Sequence, residues 1–396
     1  MASNNDASPV FEELKRAFAQ RTGTSEKDWF LVFKARYGMR ECFAAMRDVH
    51  GDGRVVTTLF TGCTAVDSII AAGLDPYYAP IAPATLSVDV QGLELPEQTR
   101  ALLLQHSYGM IDEAATRMAA QRAHDAGALL VEDSAHCLAR MARDDEGAPV
   151  ADISIHSFGI EKTFSNLYFG GALWINPRMG DEAVRQRIVQ TLSGLPELPA
   201  RLRRATRDYR NQVRVLSHLP SGAARALRAS MLARGLHEPP VAEVERLGGL
   251  PYESYLPSPW IVEQILPMFA TLDDDEQRRI ACVARYRELL DGLRNKMVPE
   301  AAFGIAAEQA LIRFPVVLPN EGLSNSVRAD LAASGFYAVD WYRMPFYPGA
   351  ADISRYGVSE QEVYAYKTAY AGTIGLPCDV APDRVDDVVS ILRERV

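Results

Sequence analysis

Beyond about residue 38 the spacing of apolar positions alternates between a helical and an extended period. Cys42, Phe43, Met46 and Val49 share one face of a 3.6-residue repeat and predict a helix. Residues 55–60 form a short apolar run that predicts a strand, and residues 65–72 return to helical spacing. The switch repeats downstream, with a continuous apolar run at 101–107, a helical stretch at 112–126 and a second buried strand at 128–133. Two more strands are expected at 152–158 and 171–175. Strands that lack polar alternation and are interleaved with helices need cover on both faces, so the expected fold class is α/β with a mainly parallel sheet. Upstream, Ser8 and Pro9 form a cap and first-turn pair opening a helix through Phe11, Leu14 and Phe18, after a polar lead of eight residues that reads as mobile.

Two later changes of pattern suggest the domain plan. Between residues 201 and 234 there are nine arginines and one acid, Asp208, which reads as a solvated or subunit-facing helical excursion, or else as a surface for an anionic substrate. Gly248-Gly-Leu-Pro-Tyr followed by Leu256-Pro-Ser-Pro then reads as a hinge. Past it, residues 260–291 are expected to be helical, 310–318 a strand and 383–394 a closing helix. The expected division is an N-terminal segment and helix over 1–30, a large domain over 31–250 with the arginine-rich excursion at 199–234, and a small α+β domain over 251–396.

Composition narrows the function classes. The 396 residues include 42 Lys and Arg against 51 Asp and Glu, a formal charge of -9, which argues against a protein built to grip nucleic acid or anionic lipid. The five cysteines are scattered and include no Cys-x-x-Cys pair, so neither a disulfide framework nor a metal site is expected. No apolar run approaches the roughly 20 residues a membrane span needs, and the first residues lack the marks of a signal peptide. A cytoplasmic protein is expected.

Two segments carry candidate chemistry. In Leu129-Leu-Val-Glu-Asp-Ser-Ala-His136 an acid, Asp133, stands at the carboxyl end of a buried strand, the edge of an open α/β sheet where ligands bind. In Asp152-Ile-Ser-Ile-His-Ser-Phe-Gly-Ile-Glu-Lys162 a strand ends in a turn presenting Ser157 and, five residues on, Lys162, with Gly170-Gly171 beyond. A lysine amine, a carboxylate and phosphate-sized donors at strand ends are the parts that pyridoxal phosphate (PLP) requires. Neighbouring groups have simpler readings. Cys137 is expected to be a buried thiol, since adjacent strand-end residues point apart, and His106 and His156 are read as packing or hydrogen-bonded histidines. The aromatic cluster from Trp341 to Tyr347 reads as core and turn, or as a lining of the cleft in which Arg343 could grip an anion.

Together these segments resemble the DegT/DnrJ/EryC1/StrS family of PLP-dependent aminotransferases, mostly sugar aminotransferases of fold type I. The likeness extends to Ala71-Ala-Gly-Leu-Asp-Pro-Tyr, to Thr85-Leu-Ser-Val-Asp and to the strand end Gln105-His-Ser-Tyr-Gly109. The resemblance implies an aspartate aminotransferase-like large domain and a small C-terminal domain. By position it implies that Asp133 pairs with the cofactor's ring nitrogen, His136 lies beside its ring hydroxyl, Ser157 holds phosphate and Lys162 carries the cofactor covalently. Aligning Cys42-Phe43 with the family's small-large pair puts Met39 and Arg40 at the phosphate turn, a helix start. Where the family has an aromatic that stacks on the cofactor, this chain has Gly62 and Cys63, leaving Phe60, Cys63 or another group to supply the contact.

The implied activity is transfer of an amino group from an amino-acid donor, by resemblance glutamate, to a keto group of a sugar, cyclitol or related biosynthetic metabolite. By resemblance the protein is a homodimer. Two rivals are a PLP-dependent dehydratase or lyase of the same fold, against which Lys162 counts because such relatives carry histidine there, and a non-catalytic PLP-binding regulatory protein.

Overall fold

A computed structural model of the chain describes residues 8–159, 162–164, 169–294, 296–305 and 307–396. The expected mobile lead lies outside these residues except for Ser8. Helix α1 (Pro9–Thr22) buries Phe11, Leu14 and Phe18 against strand β1 (Trp29–Val32), an element that the apolar periodicity does not reveal. Its four residues are all buried, so no alternation marks them. Helix α2 (Ala35–His50) follows at once. It buries Cys42, Phe43 and Met46 as expected, whereas Val49 turns out to be exposed.

Strand β2 (Arg54–Thr57), helix α3 (Cys63–Ala71) and strand β3 (Asp75–Tyr78) come next, then a small ribbon of β4 (Ile81–Ala82) and β5 (Ser87–Val88). The core of the sheet is β6 (Thr99–Gln105), β7 (Leu129–Asp133) after helix α4 (Glu113–Asp125), β8 (Ile153–Ser157) and β9 (Gly171–Ile175). The seven strands run in the order β1-β9-β8-β7-β6-β2-β3. Pairs from β3 to β8 are parallel and β9 is antiparallel to both its neighbours. Because parallel neighbours reverse direction only through covering helices, β2, β6, β7 and β8 all end at the same edge.

Past helix α5 (Glu182–Ser193), the arginine-rich segment forms a hairpin of α6 (Ala200–Ser217) and α7 (Ser221–Ala233). The former packs through Leu202, Ala205 and Tyr209, while the latter has no buried residue. The long helix expected at 260–291 is two, α8 (Pro259–Phe269) and α9 (Leu272–Leu290), broken after Pro267. The former packs with α1 beside the large sheet. A second core joins Phe60, Leu86, Tyr108 and Met110 to residues from Cys282 to Leu392 around β10 (Arg313–Val317), helix α10 (Glu321–Ala333), helix α11 (Glu360–Tyr370), β11 (Thr373–Pro377) and helix α12 (Val385–Arg393). Among the described residues no helix is long and apolar enough to cross a membrane.

Candidate active site

At the common strand edge lies a cavity of about 320 Å³. The ends of β6, β7 and β8 contribute Gln105, Asp133 and Ser157, and the loop after β2 contributes Thr61 and Gly62. The amino end of α2 closes one side, and Trp341, Tyr342 and Tyr347 of the C-terminal core close another. Lys162 also lines it. The cavity therefore brings together Asp133, His136, Ser157, Lys162 and Met39, and leaves out Arg40 and Cys63.

Asp133 is held by local geometry. Register across the sheet sets it beside Gln105 on one neighbour and Ile155 on the other, and its Oδ1 accepts the Ala135 N–H at 3.0 Å. Burial pushes its carboxyl above the ordinary range, opposed by the charge of Lys162 and the Ala135 N–H. His136 is fixed from two sides. Its Nδ1 accepts the Tyr108 N–H at 3.1 Å, which leaves the proton of the neutral ring on Nε2, 3.3 Å from the Tyr342 hydroxyl. Burial first, then the charges of Lys162 and Arg313, hold His136 well below its usual pKa, so the ring is neutral. Ahead of Lys162, Ser157 Oγ accepts the Gly159 N–H at 3.1 Å, and the Lys162 N–H donates to the Gly159 carbonyl at 3.3 Å. Its Nζ lies 5.2 Å from the centroid of the Trp341 ring.

The paired glycines of the lysine motif have a steric reason. A Cβ at Gly171 would stand 2.8 Å from the Cα and N of Ala35, so only glycine lets the start of β9 touch the start of α2. This contact sets the helix terminus against the lysine-bearing segment. It also fixes the helix start, which lies at Ala35, one turn ahead of Met39 and Arg40. Met39 and Arg40 sit in the second turn of α2, where N–H groups are committed to the helix; the free donors belong to its first residues, Ala35 and Arg36. Met39 reaches the cavity as a buried apolar wall. The guanidinium of Arg40 instead turns away to Glu41, the Tyr252 carbonyl and Ser254. Cys63 opens α3 and packs with Val66, Phe346 and Tyr356, its thiol pushed up by burial. Phe60 is fully buried in the second core, edge-on to Tyr342, and does not line the cavity.

Groups that the motif reading leaves unmarked stand at the α2 end. Lys34 Nζ pairs with Glu238 Oε1 at 2.6 Å and Arg36 Nη1 with Glu245 Oε1 at 2.7 Å. Burial lowers the Lys34 pKa against the pull of Glu238. For Arg36 burial acts the same way, but Glu245 outweighs it and the pKa rises. Partners about 200 residues apart leave no signal in local spacing. Elsewhere, His106 pairs with Glu132 at 2.9 Å, and burial of that carboxylate is outweighed by His106, Ser154 and the Ala142 N–H, which hold it low. His156 is a neutral packing histidine, lowered to about 4 by burial, and burial pushes the Cys137 thiol up to about 12. Arg343 lies outside the cavity, paired with Asp340 at 3.2 Å.

The donor set fits PLP. A strand-end carboxylate, a neutral N–H donor, a lysine and a helix terminus with a serine hydroxyl open onto one cavity, matching the ring nitrogen, hydroxyl, aldehyde and phosphate in kind. No curated protein matches the chain by sequence. Its fold is similar to that of aminotransferase TlmJ from Streptoalloteichus hindustanus, with 18% identity, coverage of 98% of this chain and 90% of that one, and a TM-score of 0.66. A DegT DnrJ EryC1 StrS aminotransferase from Brucella abortus matches at 17% identity, with the same coverage of 98% and 90% and a TM-score of 0.63. NtdA from Bacillus subtilis, solved with bound cofactor PMP, matches at 14% identity, with coverage of 98% and 78% and a TM-score of 0.66. Residues 38–195 match the model of the DegT/DnrJ/EryC1/StrS aminotransferase family.

Proposed function

We propose that the protein is a PLP-dependent aminotransferase that moves an amino group from an amino-acid donor, glutamate by resemblance, to a keto group of a sugar, cyclitol or related biosynthetic metabolite. The observation that carries this reading is the meeting of Lys162 with Asp133 and neutral His136 in a cavity at the carboxyl edge of the sheet. When bound, PLP supplies an aldehyde for amine exchange and a ring that accommodates the charge left when a carbon loses its proton.

The chain's own residues then have separate tasks. Lys162 would hold the aldehyde of bound PLP through Nζ, and its amine, when free, would be the group placed to move a proton at the donor's α-carbon. Asp133 keeps the ring nitrogen protonated. Burial opposes its ionisation, and the cationic charge of Lys162 opposes burial, as a protonated ring nitrogen would. His136 donates from Nε2 to the ring oxygen, a role that its neutral tautomer permits. Ser157 and the first turn of α2, which line the cavity with Lys34 and Arg36, would hold the phosphate. The working unit proposed is a homodimer, which sedimentation would check.

Borohydride reduction of the PLP-loaded protein, followed by peptide mapping, should leave the cofactor on Lys162. Glutamate should discharge the visible absorbance and a keto sugar or keto-cyclitol should restore it, with every acceptor hydroxyl retained in the product. A tag on another lysine, or none, would sink the assignment; loss of a hydroxyl would favour the dehydratase.

A further inference from the structure

The cavity lacks an aromatic wall where one is expected. Gly62 occupies that place with an extended backbone, φ -77°, that any residue could adopt. A Cβ there would meet only ordinary contacts, the Tyr347 carbonyl at 3.6 Å and Thr64 Oγ1 at 3.7 Å. Neither strain nor crowding therefore demands glycine at 62. Phe60 is committed to the second core, and Cys63 to the packing beneath α3.

An indole approaches the same chemistry from the opposite domain. Trp341 is 3% exposed, lines the cavity and stacks on His136 with ring centroids 4.7 Å apart and planes at 14°. Its ring centroid is 5.2 Å from Lys162 Nζ. Its backbone is held from both sides of the cleft: the Tyr108 hydroxyl donates to the Trp341 carbonyl, and the Tyr366 hydroxyl of α11 donates to the carbonyl of Tyr342. Tyr108 also presents its N–H to His136 Nδ1, from a left-handed backbone at φ 59°. One residue thus sets both members of the stacked pair.

We propose that Trp341 is the aromatic residue against which the cofactor ring packs, replacing from the C-terminal domain the wall that Gly62 does not provide. This rests on Lys162 carrying the cofactor. A planar ring joined to Nζ and hydrogen-bonded to His136 Nε2 spans two points that the indole already faces. The flat faces then pair by dispersion and charge distribution, an interaction that every aromatic side chain offers and an aliphatic one does not. Because Trp341 belongs to the second core, the cofactor's hold also depends on how the two cores meet.

The test compares Trp341→Phe with Trp341→Leu in PLP-stripped protein titrated with PLP. The leucine variant should weaken PLP binding about tenfold or more and the phenylalanine variant no more than about threefold. Gly62→Phe placed in the leucine background should recover part of the loss. Equal weakening by both single variants, or a leucine variant within twofold of the parent, would overturn the proposal. If the leucine variant does not fold, 5-fluorotryptophan labelling of the parent chain decides. Of its four tryptophans, Trp29, Trp174, Trp260 and Trp341, the last, assigned by its loss in Trp341→Phe, should show the largest ¹⁹F shift on adding PLP. An unmoved Trp341 resonance would overturn the proposal even where borohydride tags Lys162, whereas failure to tag Lys162 would remove the reading on which it rests.

Discussion

The two ends of the cavity are built on different physical plans. At the sheet end, Asp133, His136, Ser157 and Lys162 fall within a short stretch of chain, presented by the ends of two adjacent parallel strands and the turns that follow them. Their charges are only partly compensated; Asp133 has Lys162 as its opposing charge and one backbone N–H. At the α2 end, Lys34 and Arg36 are matched one to one by Glu238 and Glu245, drawn from the far side of the arginine-rich hairpin. The first end is poised to react with something that arrives. The second is already neutral and acts first as a structural clasp, which ties the segment after α7 to the terminus of α2. Substitutions should accordingly cost activity at the first end, and at the second chiefly stability, with cofactor binding affected where a carboxylate is left unmatched beside the cavity.

Lys162→Ala should break the sheet end most completely. Loss of the nucleophile and proton carrier should lower transamination by on the order of 10⁴-fold, with the midpoint of thermal unfolding almost unchanged. Single-turnover kinetics and calorimetry on the same preparation would check both halves. Asp133→Asn should follow at about 10² to 10³-fold, again with little loss of stability, because the amide removes a carboxylate whose ionisation burial already opposes.

Glu238→Ala tests the opposite end. It leaves Lys34, which is 4% exposed, with a buried charge and without its ion-pair partner, and should cost about 3–5 kcal/mol in denaturant unfolding. The Tyr252 hydroxyl, which donates to Glu238 at 2.8 Å, loses its acceptor as well. Replacing both partners by Lys34→Met and Glu238→Leu should recover most of that loss, since a buried ion pair is worth little against apolar groups of similar size. A double variant as unstable as the single one would show that the pair does more than compensate itself.

The same division explains what could be read from the sequence. Asp133 and Lys162 are legible because a buried strand announces itself as an apolar run, and a residue at its end has a known place in an open α/β sheet. The strands and helices of the large sheet through β9 are legible for the same reason, apart from β1 and β3, four-residue strands too short to show a period; the small ribbon β4–β5, helices α5, α10 and α11 and strand β11 are not read from the pattern. The start of α2 is misplaced by one turn because no capping side chain marks it; Lys34 occupies the N-cap position and makes no side-chain cap. Glu238 and Glu245 resemble any surface glutamate beside an arginine-rich stretch until folding buries them. Trp341 is visible as part of an aromatic cluster, but its stack on His136 depends on how two cores meet, which local spacing does not encode.

Asp67 sharpens the comparison through pH. It belongs to the α2 end, fully buried near Arg36 and Glu245, and burial pushes its carboxyl up to about 8 against the opposing hydrogen bond from Tyr356. The Tyr356 hydroxyl accepts the Gly248 N–H at 3.1 Å and has one proton to donate, to Asp67 Oδ1 at 2.7 Å or to the Glu245 carbonyl at 3.0 Å, so its support of the Asp67 carboxylate is shared. The folded chain keeps a proton between the ordinary value of 3.8 and about 8 that the unfolded chain releases, so this group's contribution falls as pH rises across that window. Asp67→Asn should therefore gain on the parent by on the order of a few kcal/mol between pH 5 and pH 8, read from paired urea curves. A constant difference between the two chains across that range would mean that Asp67 is ionised in the folded protein.

The smallest expected effects fall on the two positions that the motif reading assigns to the cofactor and the cavity leaves out. Arg40→Ala removes contacts to Glu41, Ser254 and the Tyr252 carbonyl from a side chain that is 18% exposed, and should cost about 1–2 kcal/mol. Its effect on PLP binding should stay within twofold, since the donors facing the cavity are one helical turn earlier. Cys63→Ala removes a buried sulfur packed under α3 while leaving the Cys63 N–H on the Tyr347 carbonyl, so it should lower stability slightly and leave PLP affinity alone. Arg36→Ala is the informative contrast: it strips a cation from the first turn and leaves Glu245 facing the same space. A carboxylate left uncompensated beside a phosphate should repel it, so PLP binding should weaken well beyond the Arg40→Ala result. Equal effects from Arg36→Ala and Arg40→Ala would move the phosphate back to the second turn and remove the distinction between a reactive end and a clasp.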